Sequence, residues 1–157
     1  MNLDKNRLIG EINESALNQL EQLEVISLRH NQLSGEIPFR VFTLILQLRE
    51  IWLSDNKIEG ELHSNIGNIK KLTHFCVYRN KLKGTIPVEV GNCDKLEVFS
   101  IGHNSIRGEI PEEMAACVRL TYLSLYDNKL EGRIPGWVQV CMYVCRSGLT
   151  LMRGGGG

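Results

Sequence analysis

The 157-residue sequence lacks a charge excess, a long apolar run and an N-terminal targeting pattern. Lys+Arg and Asp+Glu number 18 each, whereas a nucleic-acid-binding protein usually carries a basic excess that neutralises phosphates. The apolar stretch 39–48 is interrupted by Arg40, Thr43 and Gln47 and falls short of the roughly 18 residues that span a bilayer. No charged region followed by an apolar region marks a secretory signal at the start. We therefore expect no nucleic-acid partner and no membrane segment in this chain.

Proline is scarce, but its placement is informative. All four prolines fall at one position of an internal repeat, namely Pro38, Pro87, Pro111 and Pro135. The repeat is aligned on asparagines spaced by 25, 25, 24, 24 and 24 residues, which are Asn6, Asn31, Asn56, Asn80, Asn104 and Asn128. A glycine stands four residues after every one of them, at Gly10, Gly35, Gly60, Gly84, Gly108 and Gly132. A fixed period of this length indicates a solenoid of stacked units.

Apolar residues recur in the same register. In Ile26-Ser27-Leu28 and its counterparts, two apolar side chains stand two apart, which is strand period. A strand this short cannot be stable alone, so neighbouring copies must form a parallel sheet over a shared core. We expect the amides of Asn31, Asn56, Asn80, Asn104 and Asn128 to satisfy backbone groups inside the turns.

The unit Leu-x-x-Leu-x-x-Leu-x-Leu-x-x-Asn-x-Leu-x-Gly-x-Ile-Pro, quoted most fully at residues 120–135, resembles the plant-specific leucine-rich repeat. The resemblance covers roughly residues 1–144. It implies an α/β-type solenoid, a right-handed superhelix with a parallel sheet on the concave face. A second short strand per unit and short 3₁₀ turns or loops on the convex face complete the expected architecture. Residues 145–157 are expected to be an irregular, disordered, glycine-rich tail.

This subclass is found in extracellular parts of plant receptor-like kinases and receptor-like proteins and in polygalacturonase-inhibiting proteins. The resemblance implies a recognition module at the outer face of the plasma membrane or in the apoplast. Its partners would be a peptide, glycan or protein ligand and a co-receptor. The alternative is a soluble inhibitor of a cell-wall enzyme. No kinase motif is present, and we expect no catalysis, cofactor or metal. The first repeat is partial and neither end has a polar cap, which suggests a fragment or a truncated product.

The candidate binding surface consists of outward strand positions, which form three columns on the concave face. The first is Ser27, Trp52, Cys76, Ser100, Ser124; the second is Asp4, Arg29, Ser54, Tyr78, Gly102, Tyr126; the third is Lys5, His30, Asp55, Arg79, His103, Asp127. Exposed aromatic side chains beside charged ones are typical of binding surfaces. The predicted ligand-binding residues are Arg29, Trp52, Asp55, Tyr78, Arg79, His103 and Tyr126. The alternative is that these positions are solvent-facing filler.

Cysteine and histidine offer further candidates, each with a simpler structural interpretation. Cys93, Cys117 and Cys141 share one inward phase and are expected to be buried thiols rather than disulfide partners. Cys141 and Cys145 have the spacing of half a zinc site, but no second pair follows. His74 and Cys76 alternate on one strand and could form a nucleophile pair, although no orienting third group is identifiable.

One sequon, Asn13-Glu14-Ser15, falls on a convex loop. It predicts N-glycosylation at Asn13 if the chain is secreted. Such tripeptides also arise by chance.

Overall fold

The computed structural model describes residues 1–140 and 143–144. Cys141, Cys145 and the expected tail at 145–157 lie outside the described residues. Ten short strands follow one another: β1 (Ile9–Glu11), β2 (Val25–Ser27), β3 (Gln32–Ser34), β4 (Glu50–Trp52), β5 (His74–Cys76), β6 (Val98–Ser100), β7 (Arg107–Gly108), β8 (Tyr122–Ser124), β9 (Lys129–Leu130) and β10 (Tyr143–Val144). Each coil of the chain thus contributes one strand, or two, before it turns back.

The main sheet is parallel and contains β2, β4, β5, β6, β8 and β10 in that order. Its register aligns equivalent residues, so that Ile51 pairs with Phe75 and Phe75 with Phe99. The second strand predicted for each unit is present in four units, where β1 pairs with β3 and β7 pairs with β9; in the two units between them a single bridge joins Glu61 to Lys83. Sequential neighbours therefore pair throughout, as in a stack of coils.

The core runs the length of the stack beneath the main sheet. The two apolar strand positions are fully or almost fully buried in every inner coil, as at Ile51, Leu53, Phe75 and Val77, each with no exposed surface. Phe75 stacks on Phe99 with ring centroids 5.7 Å apart. Apolar burial is the main favourable term in folding. Burial of the apolar positions of each strand therefore determines that the opposite face of the sheet points outward.

The convex side carries short helices, of two kinds. The later coils have 3₁₀ helices at Ser64–Asn68, Val88–Asn92, Glu112–Ala116 and Gly136–Val140. The first two convex segments instead form one turn of α-helix, α1 (Glu14–Leu17) and α2 (Phe39–Phe42). These segments belong to the 25-residue units. An α-helical turn accommodates the extra residue because it rises less per residue than a 3₁₀ turn.

In the two units without proline, a side chain caps the convex helix. Proline has no backbone N–H and ends strand pairing before the convex helix. Where it is absent, the side chain at that position caps the helix instead. Asn13 Oδ1 accepts the backbone N–H of Ala16 at 3.1 Å, and His63 Nδ1 accepts that of Asn65 at 3.1 Å.

The repeated asparagines join adjacent coils. Asn80 is representative: its Nδ2 donates to the carbonyls of Val77 in its own coil and Leu53 in the preceding coil, at 3.1 and 3.0 Å. Its Oδ1 accepts the N–H of Ile58, also in the preceding coil, at 3.0 Å. The same pattern recurs at Asn31, Asn56, Asn104 and Asn128. Each amide therefore satisfies groups that the turn leaves unpaired.

Glycine permits the convex helices to pack closely. A Cβ on Gly91 would lie 2.3 Å from the carbonyl oxygen of Glu113 in the next coil, and one on Gly67 would lie 2.4 Å from that of Glu89. The glycines four residues after each asparagine have another role, since all six have φ between 75° and 86°. Only glycine enters that region at little cost.

Asn80→Ala should destabilise the stack by about 2–4 kcal/mol, because one N–H and two or more carbonyls lose their partner inside the turn. Urea unfolding followed by circular dichroism measures the change. Asn68→Ala, at an exposed position of a convex helix, is the matched control and should leave the midpoint nearly unchanged. Equal midpoints for the wild type and Asn80→Ala would refute the bridging role.

Candidate recognition surface

The concave face is shaped by an unusual backbone conformation at the end of each strand. Six residues other than glycine, one per coil, have φ between 50° and 57°, and together they are the predicted third column. Residues in this left-handed region are uncommon outside glycine and asparagine. Their backbones still pair with the next coil, as His30 N–H does with the Ser54 carbonyl at 3.0 Å. The bend therefore places six side chains in line, one coil above another.

We call this line the charged ladder: Lys5, His30, Asp55, Arg79, His103 and Asp127. Asp55 contacts both neighbours, with His30 Nδ1 3.4 Å from Oδ2 and Arg79 Nη1 3.4 Å from Oδ1. His103 Nδ1 is in direct contact with Asp127 Oδ2. The ladder thus reads cation, histidine, aspartate twice in succession.

A second line of contacts, the arginine–tryptophan stack, joins the first four coils. Arg29 donates from Nε to Asp4 Oδ2 at 2.8 Å, and its guanidinium carbon lies 5.1 Å from the centroid of the Trp52 ring. His74 packs on the same indole at 5.4 Å between centroids. The indole Nε1 donates to Glu50 Oε2 at 2.8 Å. Trp52 is therefore held between two cationic or aromatic neighbours rather than projecting freely.

The aromatic cluster lies in the later coils. His103 stands edge-on to Tyr78 and to Tyr126, at 5.0 and 4.9 Å between centroids. The two tyrosine rings are 5.9 Å apart. They approach across Gly102, whose missing Cβ would lie 3.1 Å from the Tyr126 ring. Arg79 lies over the Tyr78 ring at 5.4 Å, which connects the cluster to the charged ladder.

The first column differs from the expectation of a solvated surface. Ser27, Cys76, Ser100 and Ser124 are at most 8% exposed. Burial raises the pKa of the Cys76 thiol to about 12, and His74 directs Nδ1 to Thr73 Oγ1 at 2.9 Å. Both observations oppose a Cys76–His74 nucleophile, because the reactive species is the thiolate.

The seven predicted ligand-binding residues fall into two groups. Arg29 and Trp52 belong to the arginine–tryptophan stack, whereas Asp55, Tyr78, Arg79, His103 and Tyr126 belong to the ladder and the aromatic cluster. Five contacting residues were not selected from the sequence, namely Asp4, His30, Glu50, His74 and Asp127. Asp4, His30 and Asp127 stand in the outward columns, where a carboxylate lies one coil from a cation or a histidine, whereas Glu50 and His74 stand outside the columns.

Other candidate positions lie away from this face. Cys93 and Cys117 are buried thiols whose Sγ atoms donate to the carbonyls of Ile66 and Val90 at 3.4 and 3.3 Å. Asn13 is exposed at the edge of an open lateral groove of about 1350 Å³.

Among the described residues, no group of three potential metal ligands is found. No helix in this part of the chain has the length and apolar character needed for a membrane crossing.

Comparison with protein families matches the profile described as Leucine Rich Repeat at residues 22–44, 47–69, 95–117 and 119–141, more than half of the chain. The chain belongs to the leucine-rich repeat family. Comparison with curated proteins gives no match. The predicted fold class, a leucine-rich repeat solenoid with a parallel sheet and short 3₁₀ turns, is confirmed.

Solved structures of plant receptor ectodomains resemble this solenoid. The plant peptide hormone receptor RGFR1 in complex with RGF2 matches with a TM-score of 0.84 and 35% identity over 90% of this chain and 22% of that chain. The HAESA ectodomain from Arabidopsis, in complex with an IDA peptide hormone, matches with a TM-score of 0.84 and 27% identity over 89% and 23%. A chain of the BIR3–SERK2 complex from Arabidopsis thaliana matches with a TM-score of 0.77 and 32% identity over 86% and 70%.

This leucine-rich repeat chain spans about a fifth to a quarter of the receptor ectodomains RGFR1 and HAESA. The family and the resemblance to receptor kinase ectodomains, both predicted from the repeat, are confirmed. What the matched receptors bind is a property of those proteins and bears on this chain only as a proposal.

Asp4→Asn should destabilise the first coil by about 1 kcal/mol at neutral pH. Burial raises the pKa of the Asp4 carboxyl, but hydrogen bonds from Ser27 and Arg29 and the charge of Arg29 outweigh it and hold the pKa below 3.8. A lowered folded-state pKa stabilises the fold above the ordinary pKa, and this contribution is lost as pH falls through the lowered one. The difference from the wild type, measured by urea unfolding, should therefore vanish in strong acid. Asp94→Asn, at an exposed position, is the control; a pH-independent difference would contradict the assignment.

Cys76 and Cys93 should resist iodoacetamide in the folded chain at mildly alkaline pH, because burial raises both thiol pKa values to about 12. Peptide mass spectrometry after alkylation measures the modification of each. Both thiols should react once urea unfolds the chain, which serves as the control. Rapid alkylation of folded Cys76 would show an accessible thiolate at the concave face.

Proposed function

We propose that this leucine-rich repeat chain is a recognition module that binds a peptide or protein segment on its concave face. The observation that carries the proposal is the preformed array on that face. Tyr78, His103 and Tyr126 are mutually packed, and Arg79 is held by both Tyr78 and Asp55. A surface already ordered by its own contacts loses little conformational entropy when a ligand binds.

The composition of the array supports the same proposal. The core dictates none of these side chains, since they lie on the sheet face opposite the buried leucines. Tyrosine, tryptophan and arginine are the residues that most often carry binding energy at protein interfaces. The matched ectodomains of RGFR1 and HAESA are described with bound peptide hormones, RGF2 and IDA. The BIR3–SERK2 match is a complex of two proteins and supports a protein partner equally well.

The biological setting is part of the proposal. We infer that the module is a portion of a plant receptor kinase ectodomain, acting in signal perception outside the cell with a co-receptor. In that setting Asn13 is a site for N-glycosylation. Its Oδ1 is used for the cap on α1, whereas its Nδ2, to which a glycan attaches, makes no hydrogen bond within residues 1–140. No observation on the described residues favours the alternative of a cell-wall enzyme inhibitor or a glycan ligand.

Simultaneous alanine substitution of Trp52, Tyr78 and Arg79 should weaken the binding of a concave-face peptide at least about a hundredfold, because anchor residues contribute about 2 kcal/mol or more each. Peptides are first selected on the immobilised wild-type chain from a random twelve-residue library. Their affinities for both chains are then measured by isothermal titration calorimetry.

The matched control carries three alanines on the convex side, at the exposed positions Val88, Asp94 and Val118. Circular dichroism of both triple variants reports whether the solenoid is intact. Because Trp52 is half-buried, the pair Tyr78→Ala and Arg79→Ala is tested as well. Selected peptides that bind the concave variants and the wild type equally would place recognition elsewhere and refute the proposal.

A further inference from the structure

The charged ladder contains two histidines at equivalent positions of its repeating order. Its order repeats after three coils, as Lys5, His30, Asp55 and then Arg79, His103, Asp127. Each histidine therefore stands between a coil that carries a cation and a coil that carries an aspartate. Histidine is the side chain that ordinarily changes its charge between about pH 5 and 8.

The groups around each histidine are few and can be named. His30 faces Asp55 across 3.4 Å and has Lys5 one coil before it; its chain neighbour Arg29 is held by Asp4. His103 faces Asp127, with Arg79 one coil before it, and its ring edge points at the Tyr78 and Tyr126 rings.

The charge of the ladder depends on these two imidazoles. With both neutral, two cations and two carboxylates balance, and with both protonated the ladder carries a net charge of +2. The carboxylates already have protein partners, since Asp55 contacts His30 and Arg79 and Asp127 contacts His103. Lys5 makes no ion pair within the described residues, and the Arg79 side chain is 63% exposed. The Asp127 side chain is exposed as well, at 66%, so the ladder presents an excess of positive charge only when the histidines are protonated.

We propose that the charged ladder is a proton-dependent subsite of the recognition surface, which takes an acidic segment of the ligand and binds it more tightly as pH falls. Protonated His30 and His103 offset the charges of Asp55 and Asp127, which leaves the positive charges of Lys5 and Arg79 uncompensated. The inference rests on the proposed function, because it assigns a chemical preference and a regulation to that same face.

Rhodamine-labelled hexaglutamate is the probe, with labelled hexalysine as its opposite, and affinity is followed by fluorescence anisotropy at low ionic strength. Hexaglutamate should bind about tenfold more tightly at about pH 5.5 than at about pH 7.5, since each surface ion pair contributes up to a few-fold. Hexalysine should show the reverse trend. The double variant His30→Gln, His103→Gln should lose the pH dependence of both probes.

Two further variants keep the test decisive. His63→Gln removes a histidine from the lateral side, where it caps a convex helix, and should retain the pH dependence. Asp55→Asn with Asp127→Asn leaves the imidazoles in place but removes the opposing charge, and should bind hexaglutamate more tightly than the wild type even at about pH 7.5. Circular dichroism of this variant reports whether the solenoid is intact, and weaker or unchanged binding of hexaglutamate by an intact solenoid would contradict the proposal.

Unchanged pH dependence in the His30→Gln, His103→Gln variant, or an identical trend for hexaglutamate and hexalysine, would overturn the ladder proposal. Neither result affects the proposed function, which is tested at a single pH by the loss of selected peptides from the Trp52, Tyr78 and Arg79 variants. Conversely, if those peptides bind the concave variants normally, the proposed function fails, whatever the histidines do.

Discussion

The structure depends on one interaction, the amide that reaches from each coil to the one before it. At the bend after every strand, the chain turns inward and would leave backbone N–H and carbonyl groups unpaired among apolar side chains. The repeated asparagine satisfies groups of its own coil and of the previous coil at once, as Asn80 does with Val77, Leu53 and Ile58. Since a buried unpaired polar group is costly, stacking and turning are not independent events. The turn of each coil is therefore stabilised by its hydrogen bonds to the neighbouring coil.

That coupling also determines the concave face. Parallel strands in register bring equivalent positions of successive coils side by side. Side chains that are one repeat apart in the sequence therefore come into contact on the concave face. Asp4 holds Arg29, Arg29 covers Trp52, and Asp55 holds Arg79, each across one coil boundary. The surface is therefore a set of lines perpendicular to the strands. A ligand lying along them meets several coils at once.

The sequence predicted those features of the fold that depend on the repeat period. The parallel sheet, its inward leucines, the second strands and the outward columns all follow from residues that recur every two dozen positions. It did not predict which outward residues would be shielded: Cys76 and Ser100 are buried, and burial on the outward face depends on side-chain packing that the period does not specify. The α-helical turn of α2 and the cap made by His63 were missed as well, because each depends on one local insertion or substitution rather than on the repeat. The contact between His103 and Asp127 depends on the rotamers of both side chains, and the period of the sequence does not specify these.

The left-handed residues of the charged ladder have a consequence for how the chain can change. Glycine would adopt those dihedral angles with less conformational cost than histidine, arginine or lysine. Exchanging His103 or Arg79 for glycine would thus relax the folded backbone while removing side chains of the proposed recognition surface. Within the described residues, six side chains other than glycine occupy this column, so the stability of the main chain and the chemistry of the surface make opposite demands on the same positions.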